Sequence, residues 1–262
     1  VGAFVERIKF SAMLLFCTLW TLVVYFPVAN WVWGGGWLGQ MGLIDFAGGT
    51  VVHVTAGVAA LVTAMILGPR KDFLSTATLP HNLTMSFTGA AMLWVGWFGF
   101  NAGSALAADG AAGMALFVTH ISASVGALSW ISIEWLKYGK PSVLGAVTGM
   151  VAGLATITPA SGSVGPAGAL LVGLSGGVIC YYATSYLKQG LKIDDSLDVF
   201  PVHGVGGIVG TFLAGILVSA DLGIFSGNGL AAGISIGSQV GIQITGIIAT
   251  GAYTAILTGV LL

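Results

Sequence analysis

The sequence predicts an all-α polytopic membrane protein, and three observations carry that prediction. Only 6% of the 262 residues are charged while 56% are hydrophobic, against roughly a quarter charged in a soluble domain. A chain so poor in charge cannot wet its own surface. The charges it has are bunched, so Phe10 to Ile44, Phe46 to Pro69, Phe73 to Ala108, Gly110 to Ile133 and Pro141 to Leu187 carry none, and each interval can hold the ~20 apolar residues that cross a bilayer. Finally, the basic residues sort to alternate connections.

The first four spans are expected over 11 to 29, 46 to 68, 81 to 102 and 111 to 136. The interval from Pro141 to Leu187 is long enough for two, and the turn-rich stretch Thr158-Pro159-Ala160-Ser161-Gly162-Ser163 divides it into 142 to 157 and 167 to 187. The runs after Asp198 and Asp221 supply 198 to 218 and 232 to 262, eight spans in all. Arg7 and Lys9 precede the first, Arg70 and Lys71 follow the second, Lys137 and Lys140 the fourth, and Lys188 and Lys192 the sixth. By the positive-inside tendency those connections are cytoplasmic, Asn30 to Ile44 lies outside, and both ends of the chain lie inside. Gly145/Gly149/Gly153, Gly173/Gly177 and Gly206/Gly210 follow the small-xxx-small spacing that lets membrane helices approach closely.

Composition also excludes. Eight Lys and Arg against nine Asp and Glu offer no basic surface for nucleic acid. Cys17 and Cys180 lie in apolar runs without ligand spacing and read as membrane-buried thiols, so no metal site or disulfide framework is indicated.

Ionisable groups at membrane depth are functional candidates because burying them is costly. Asp45 opens the second span, where it either caps the helix N-terminus or also sets the electrostatics of a nearby pore. His53 follows eight residues later, about 12 Å further along a helix. His203 lies near the inner end of the seventh span, a few residues after Asp198. With straight helices the two imidazoles would be roughly 10 Å apart in depth, so spacing alone does not pair them. Each follows an Asp at the start of a span, and the spans run in opposite directions, as an inverted repeat would place them. His120, in mid-span without such a mate, reads as packing, and His81 as a surface or cap residue. Asn82-Leu83-Thr84 matches a glycosylation sequon but falls on the cytoplasmic side and is rejected.

Aromatic residues form a second group. Trp31, Trp33 and Trp37 flank Gly34-Gly35-Gly36 on the outside, where Trp is expected at an interface and where an indole face also attracts a small cation. In Trp97-Phe98-Gly99-Phe100-Asn101-Ala102-Gly103-Ser104, Phe100 and Ser104 share one helix face, an apolar plug beside a hydrogen-bond acceptor.

Together these strings resemble the Amt/MEP/Rh ammonium transporter family: Glu6-Arg7-Ile8, Trp33-Gly34-Gly35-Gly36, DFAGGTVVH from Asp45 to His53, WFGFNAGS from Trp97 to Ser104, Gly139-Lys140-Pro141-Ser142, and Asp198-Val199-Phe200-Pro201-Val202-His203-Gly204. They run in family order over nearly the whole chain, and Trp33 with Asp45 to Gly49 is similar to the Amt branch more than the Rh branch. The resemblance implies an eleven-helix inverted-repeat bundle, of which residues 1 to 262 would form one membrane domain lacking roughly the first three helices and the C-terminal tail. It implies a transporter or channel and not an enzyme, with no catalytic residue, cofactor or metal. Trp33 and Ser104 match the outer site that recruits ammonium, Phe100 the inner of two stacked Phe rings closing the pore mouth, and Trp97 a pore-lining Trp. His53 and His203 match the twin-His pair of an otherwise apolar pore, and Asp45 the buried Asp that organises the recruitment site. Ammonium or ammonia and the lipid bilayer are the implied partners, with a homotrimer in the cell membrane and a PII-type regulatory protein docking on a tail. The alternatives on the same fold are an ammonium sensor with a fused cytoplasmic domain and an Rh-like channel for ammonia or carbon dioxide gas.

Overall fold

The computed structural model describes residues 1–71, 73–75 and 79–262. Among them the regular structure is nearly all helical, and a helix stands at each of the eight expected positions. Helix α1 comprises Phe10–Trp20 and Phe26–Trp33 joined by a π-helical turn, Thr21–Tyr25. It is followed by α2 (Gly49–Leu67), α3 (Leu83–Gly103), α4 (Gly110–Tyr138), α5 (Val143–Ile157), α6 (Pro166–Gly190), α7 (Phe200–Leu217) and α8 (Ile236–Leu261). Seven of these segments are long and apolar enough to cross a membrane, and α5 is a shorter apolar helix of 15 residues.

Helix ends follow from local chemistry. The Asn82 side chain accepts from Met85 N–H, Asp109 from Ala111 and Ala112, Ser142 from Gly145 and Ser235 from Ser238, each meeting donors that the first helical turn leaves free. The rejected sequon residue is therefore a helix cap, while His81 is exposed beside it. Gly139, left-handed at φ 75°, ends α4. The expected break after α5 is a run of turns at Thr158 to Ser163. Thr158, Ala160 and Ser161 are fully buried there, and the run is tolerated because protein surrounds it and its backbone is paired: Phe46 N–H donates to Pro159 (3.1 Å) and Asn228 N–H to Ser163 (3.0 Å).

Small residues set the packing. Gly126 on α4 meets Gly149 and Gly153 on α5, while Gly173 and Gly177 of α6 face Ser122 and Gly126, with no room for a Cβ at any of them. Gly206 and Gly210 of α7 lie against Thr156 of α5. Helices α2 and α7 cross antiparallel, with Gly57 against Gly204 and Gly207 against Gly49 and His53. Cys180 is fully buried and Cys17 partly so, and both are free.

On the side the charge count assigns to the cytoplasm, three connections are tied by one ionic network. Arg70 contacts the fully buried Asp194 carboxylate through its side chain (2.9 Å) and backbone N–H (2.8 Å), and pairs with Glu6 at 2.7 Å. Arg7 donates to the Ala3, Gly68 and Asp194 carbonyls and lies 3.6 Å from the Asp194 carboxylate. Burial by itself would raise the Asp194 carboxyl, but hydrogen bonds and charge from Arg70, with Arg7, hold it below its ordinary value.

Asp194→Ala leaves two guanidinium groups facing each other without their carboxylate, and is expected to cost about 3 kcal/mol. An unchanged melting temperature in detergent would count against the network. Because the Asp194 carboxyl titrates below its ordinary value of about 4, the network's contribution is complete above that pH and is lost as pH falls below it. The wild-type melting temperature should decline there while that of Asp194→Ala declines less. Gly57→Ala forces α2 and α7 apart and is expected to destabilise by about 3 kcal/mol; a wild-type melt would contradict the crossing described.

Candidate functional site

The crossing of α2 and α7 builds the site. Each helix opens with a π-helical turn, Gly49–Val54 and Phe200–Gly204, and carries its His within that turn. The Nδ1 atoms of His53 and His203 lie 3.2 Å apart, so the separation of about 10 Å expected from straight full-length spans is not what forms. The antiparallel register explains the difference. It sets His53 level with Gly207 and His203 level with Gly57, an offset of four residues or about 6 Å along the axes, which the two side chains bridge. The register also overlaps the N-terminal parts of the helices only, so each helix starts beside the middle of the other.

A bond between two Nδ1 atoms requires one to donate and the other to accept, so for neutral rings the tautomers are opposite. The donor ring then presents a bare Nε2 and the acceptor ring an Nε2–H. His53 Nε2 is buried and has no partner in the protein.

Trp97 forms the wall behind the pair. Its ring is nearly parallel to both imidazoles, with centroids 5.3 Å from His53 and 6.2 Å from His203. Its indole N–H donates to Thr158 Oγ1 (3.0 Å), which contacts Asn101 Oδ1 (3.3 Å), while Asn101 Nδ2 donates to Thr119 (2.9 Å). This fully buried polar chain fixes the wall to α4 and to the break after α5. Phe100 packs edge-on to Trp97 at 5.6 Å and lies 6.1 Å from His53. These rings line a cavity of about 680 Å³ whose other walls, Val52, Ala56, Leu93, Leu197 and Val199, are apolar.

Above the pair, Asp45 does not begin the helix as its position suggested; it precedes it by four residues and folds back. One carboxylate oxygen accepts from Gly48 and Gly49 N–H (2.8 and 2.6 Å), the other from Thr50 and Val51 N–H (2.8 and 3.1 Å) and from the Thr50 hydroxyl. The Asp45 carbonyl accepts the Trp33 indole N–H at 2.8 Å, which leaves the half-exposed indole face as the part of Trp33 open to a ligand. Ser104 donates to the Phe100 carbonyl at 2.9 Å, keeping its oxygen lone pairs available on the same helix face. The structure thus joins His53, His203, Trp97 and Phe100 in one cluster and Asp45 with Trp33 in another. Ser104 joins the first through Phe100, and no hydrogen bond or ring contact links it to Trp33 among the described residues.

One pairing needs correction. The group that serves His203 as Asp45 serves His53 is Asp195, not Asp198. Asp195 accepts Phe200 N–H at 2.6 Å at the start of α7. Asp198 adopts a left-handed φ of 57° and pairs with Lys188 at 2.7 Å. The missed signal was the spacing, since eight residues separate Asp45 from His53 and eight separate Asp195 from His203. His120 is exposed on α4, where it stacks on Trp94 (5.2 Å) and meets Phe98 at a tilt (6.0 Å), away from the cavity. Among the described residues no group of His, Cys, Asp and Glu could hold a metal ion.

The sequence pattern defining the Ammonium Transporter Family matches residues 1–262. The ammonium transporter of Bacillus subtilis is 47% identical over 261 residues, covering 100% of this chain and 64% of its own length. That of Aquifex aeolicus is 50% identical over 261 residues, covering 100% and 60%. Among solved structures, Saccharomyces cerevisiae Mep2 superposes with a TM-score of 0.88 at 39% identity, covering 100% of this chain and 61% of that one. A sensor Amt protein superposes with 0.90 at 31% identity, covering 99% and 66%. The chain spans roughly three fifths of the curated relatives it matches, and those relatives are transporters and not enzymes. A family match over every residue, joined to an eight-helix membrane fold with two His in contact at its central crossing, places the chain in the ammonium transporter family.

Proposed function

We propose that the protein carrying this chain moves ammonium across the cell membrane by recruiting the cation outside, stripping its proton and conducting ammonia through the apolar cavity while the proton crosses separately by way of the His pair. The observation that supports this best is the His53–His203 contact inside otherwise apolar walls. Ammonium and potassium have nearly the same size and charge, so a cation site alone does not separate them; the loss of a proton does. The exposed face of Trp33 would hold the cation by its π cloud, with Ser104 accepting one of its hydrogens. Phe100 and the apolar walls make passage of the charged form costly by several kcal/mol. Inside, the pair offers an Nε2 lone pair and an Nε2–H, which suit ammonia as both donor and acceptor and give a released proton a relay. The asymmetry of basic residues supports cytoplasmic ends for this chain. We further propose that residues 1 to 262 form the larger part of a single membrane domain in a homotrimer, with regulation by a PII-type protein.

A sensor on the same fold is the second reading, favoured by the likeness to a sensor Amt protein. Currents from full-length protein in proteoliposomes during an ammonium pulse decide between them, because a transporter gives sustained charge movement that grows with liposome loading of the protein and a pure sensor does not. His53→Ala or His203→Ala should abolish the current or let potassium compete, and two variants with unchanged current and selectivity would overturn the mechanism. Trp33→Leu should raise the half-saturating ammonium concentration about two- to fivefold, the effect of losing a partly solvated cation–π contact, with the maximal current retained. An unmoved half-saturation would remove Trp33 from recruitment.

A further inference from the structure

We propose that Gln243, on α8 and remote in sequence from every residue assigned above, is the positioning residue of the outer recruitment site. Its side chain is fully buried at membrane depth. Its amide has two hydrogens and two acceptor positions, and all four are used. Nε2 donates to the Ile44 carbonyl (2.8 Å) and the Thr211 carbonyl (3.0 Å), while Oε1 accepts from Ile44 N–H (2.9 Å) and Gln239 Nε2 (3.2 Å). The opposed donors and acceptors fix which way the amide points. Gln243 therefore pairs with the backbone of Ile44 as a neighbouring strand would, inside a bundle that has no strand to offer among its described residues.

The location of that pairing gives it a function. Ile44 directly precedes Asp45, and Phe46, directly following, is held by its own N–H on Pro159. Asp45 sits between two pinned residues, so its carbonyl, which holds the Trp33 indole, and its carboxylate, which caps the His53 helix, are both set by these anchors. Only the Ile44 anchor comes from a side chain. Gln239, one turn earlier on α8, adds a bond to the Gly42 carbonyl (2.9 Å), and Leu43 packs against Gly246 one turn later. Three successive levels of α8 thus grip residues 42 to 44. Without Gln243 the partly buried N–H and C=O of Ile44 lose their partners, and the loop that aims Trp33 is free to shift.

The proposal rests on the recruitment reading, and one experiment separates the two. Ammonium-pulse currents are recorded on proteoliposomes of the full-length protein as wild type, Trp33→Leu, Gln243→Met and Gln243→Glu. Met keeps the length of the side chain and removes every bond; Glu, kept neutral by burial, retains both contacts to Ile44. Gln243→Met is expected to raise the half-saturating ammonium concentration about three- to tenfold, the scale of one net buried hydrogen bond, with the maximal current per folded protein unchanged. Gln243→Glu should stay near wild type. Raised half-saturation in Trp33→Leu with none in Gln243→Met overturns the proposal and leaves recruitment standing. A lower maximal current at fixed half-saturation also overturns it, since that makes Gln243 structural only. No wild-type current overturns the transport reading on which the proposal rests, and no shift in Trp33→Leu overturns the recruitment reading itself. Should Gln243→Met yield no folded protein, Gln239→Met removes the Gly42 bond and one of the four at Gln243, and a smaller rise is expected; its absence overturns the proposal as well.

Discussion

The structure depends on one constraint: two helices begin buried within the bundle, where no water can meet the N–H groups of a first turn. Asp45 answers it for α2 by accepting four backbone N–H groups and a hydroxyl on a single carboxylate. Because α2 starts at depth, His53 reaches the crossing with α7 only four residues into the helix. Because α7 does the same from the other side, His203 arrives to meet it. The connection before each helix must then descend into the protein with its own backbone groups satisfied. Gln243 and Pro159 serve the outer connection, and the Arg7–Asp194–Arg70 network serves the inner one.

Close approach is the second requirement, and glycine supplies it. A Cβ at Gly57 would fall on Gly204, and one at Gly207 on the backbone of Gly49 and on His53. Those contacts bring the helix axes near enough for short imidazole side chains to span a four-residue offset. In a bilayer the hydrophobic effect does not press helices together, so packing at such points and the satisfied polar groups beside them hold the bundle. Trp97 shows both at once, since its ring closes the cavity wall while its N–H anchors through Thr158 to Asn101 and Thr119.

Much of this was legible in the sequence because the bilayer imposes simple periods. Gaps between charges located all eight spans, and the turn residues after Ile157 located the break between α5 and α6. Types of residue at depth marked Asp45, His53 and His203, and the resemblance supplied their partners. Relations between distant helices were not legible. Depth counted along straight spans could not show where α2 and α7 overlap, because the register is set by glycines that meet only in three dimensions. Gln243 was invisible for the same reason: a Gln in an apolar run says that a partner is needed and not which backbone it serves.

The two halves of the crossing are alike in plan and unlike in detail. Thr50 and Val51, five and six residues after Asp45, both give N–H groups to its carboxylate. The equivalent positions after Asp195 are Phe200, which donates, and Pro201, which has no N–H to give. The other Asp195 oxygen, whose counterpart on Asp45 takes Gly48 and Gly49 N–H, is buried without a partner, because Asp198 N–H turns to the Asp195 backbone carbonyl instead; burial pushes that carboxyl above its ordinary value. Pro201 nevertheless suits the first turn of α7, where its fixed φ fits the helix and an N–H would otherwise need a partner. The inner half therefore combines a less saturated cap with a preformed helix start, and the ion pairs of Asp194 lie next to it in the same connection. The outer half, which also has to hold Trp33 at a fixed height, relies on the saturated carboxylate instead.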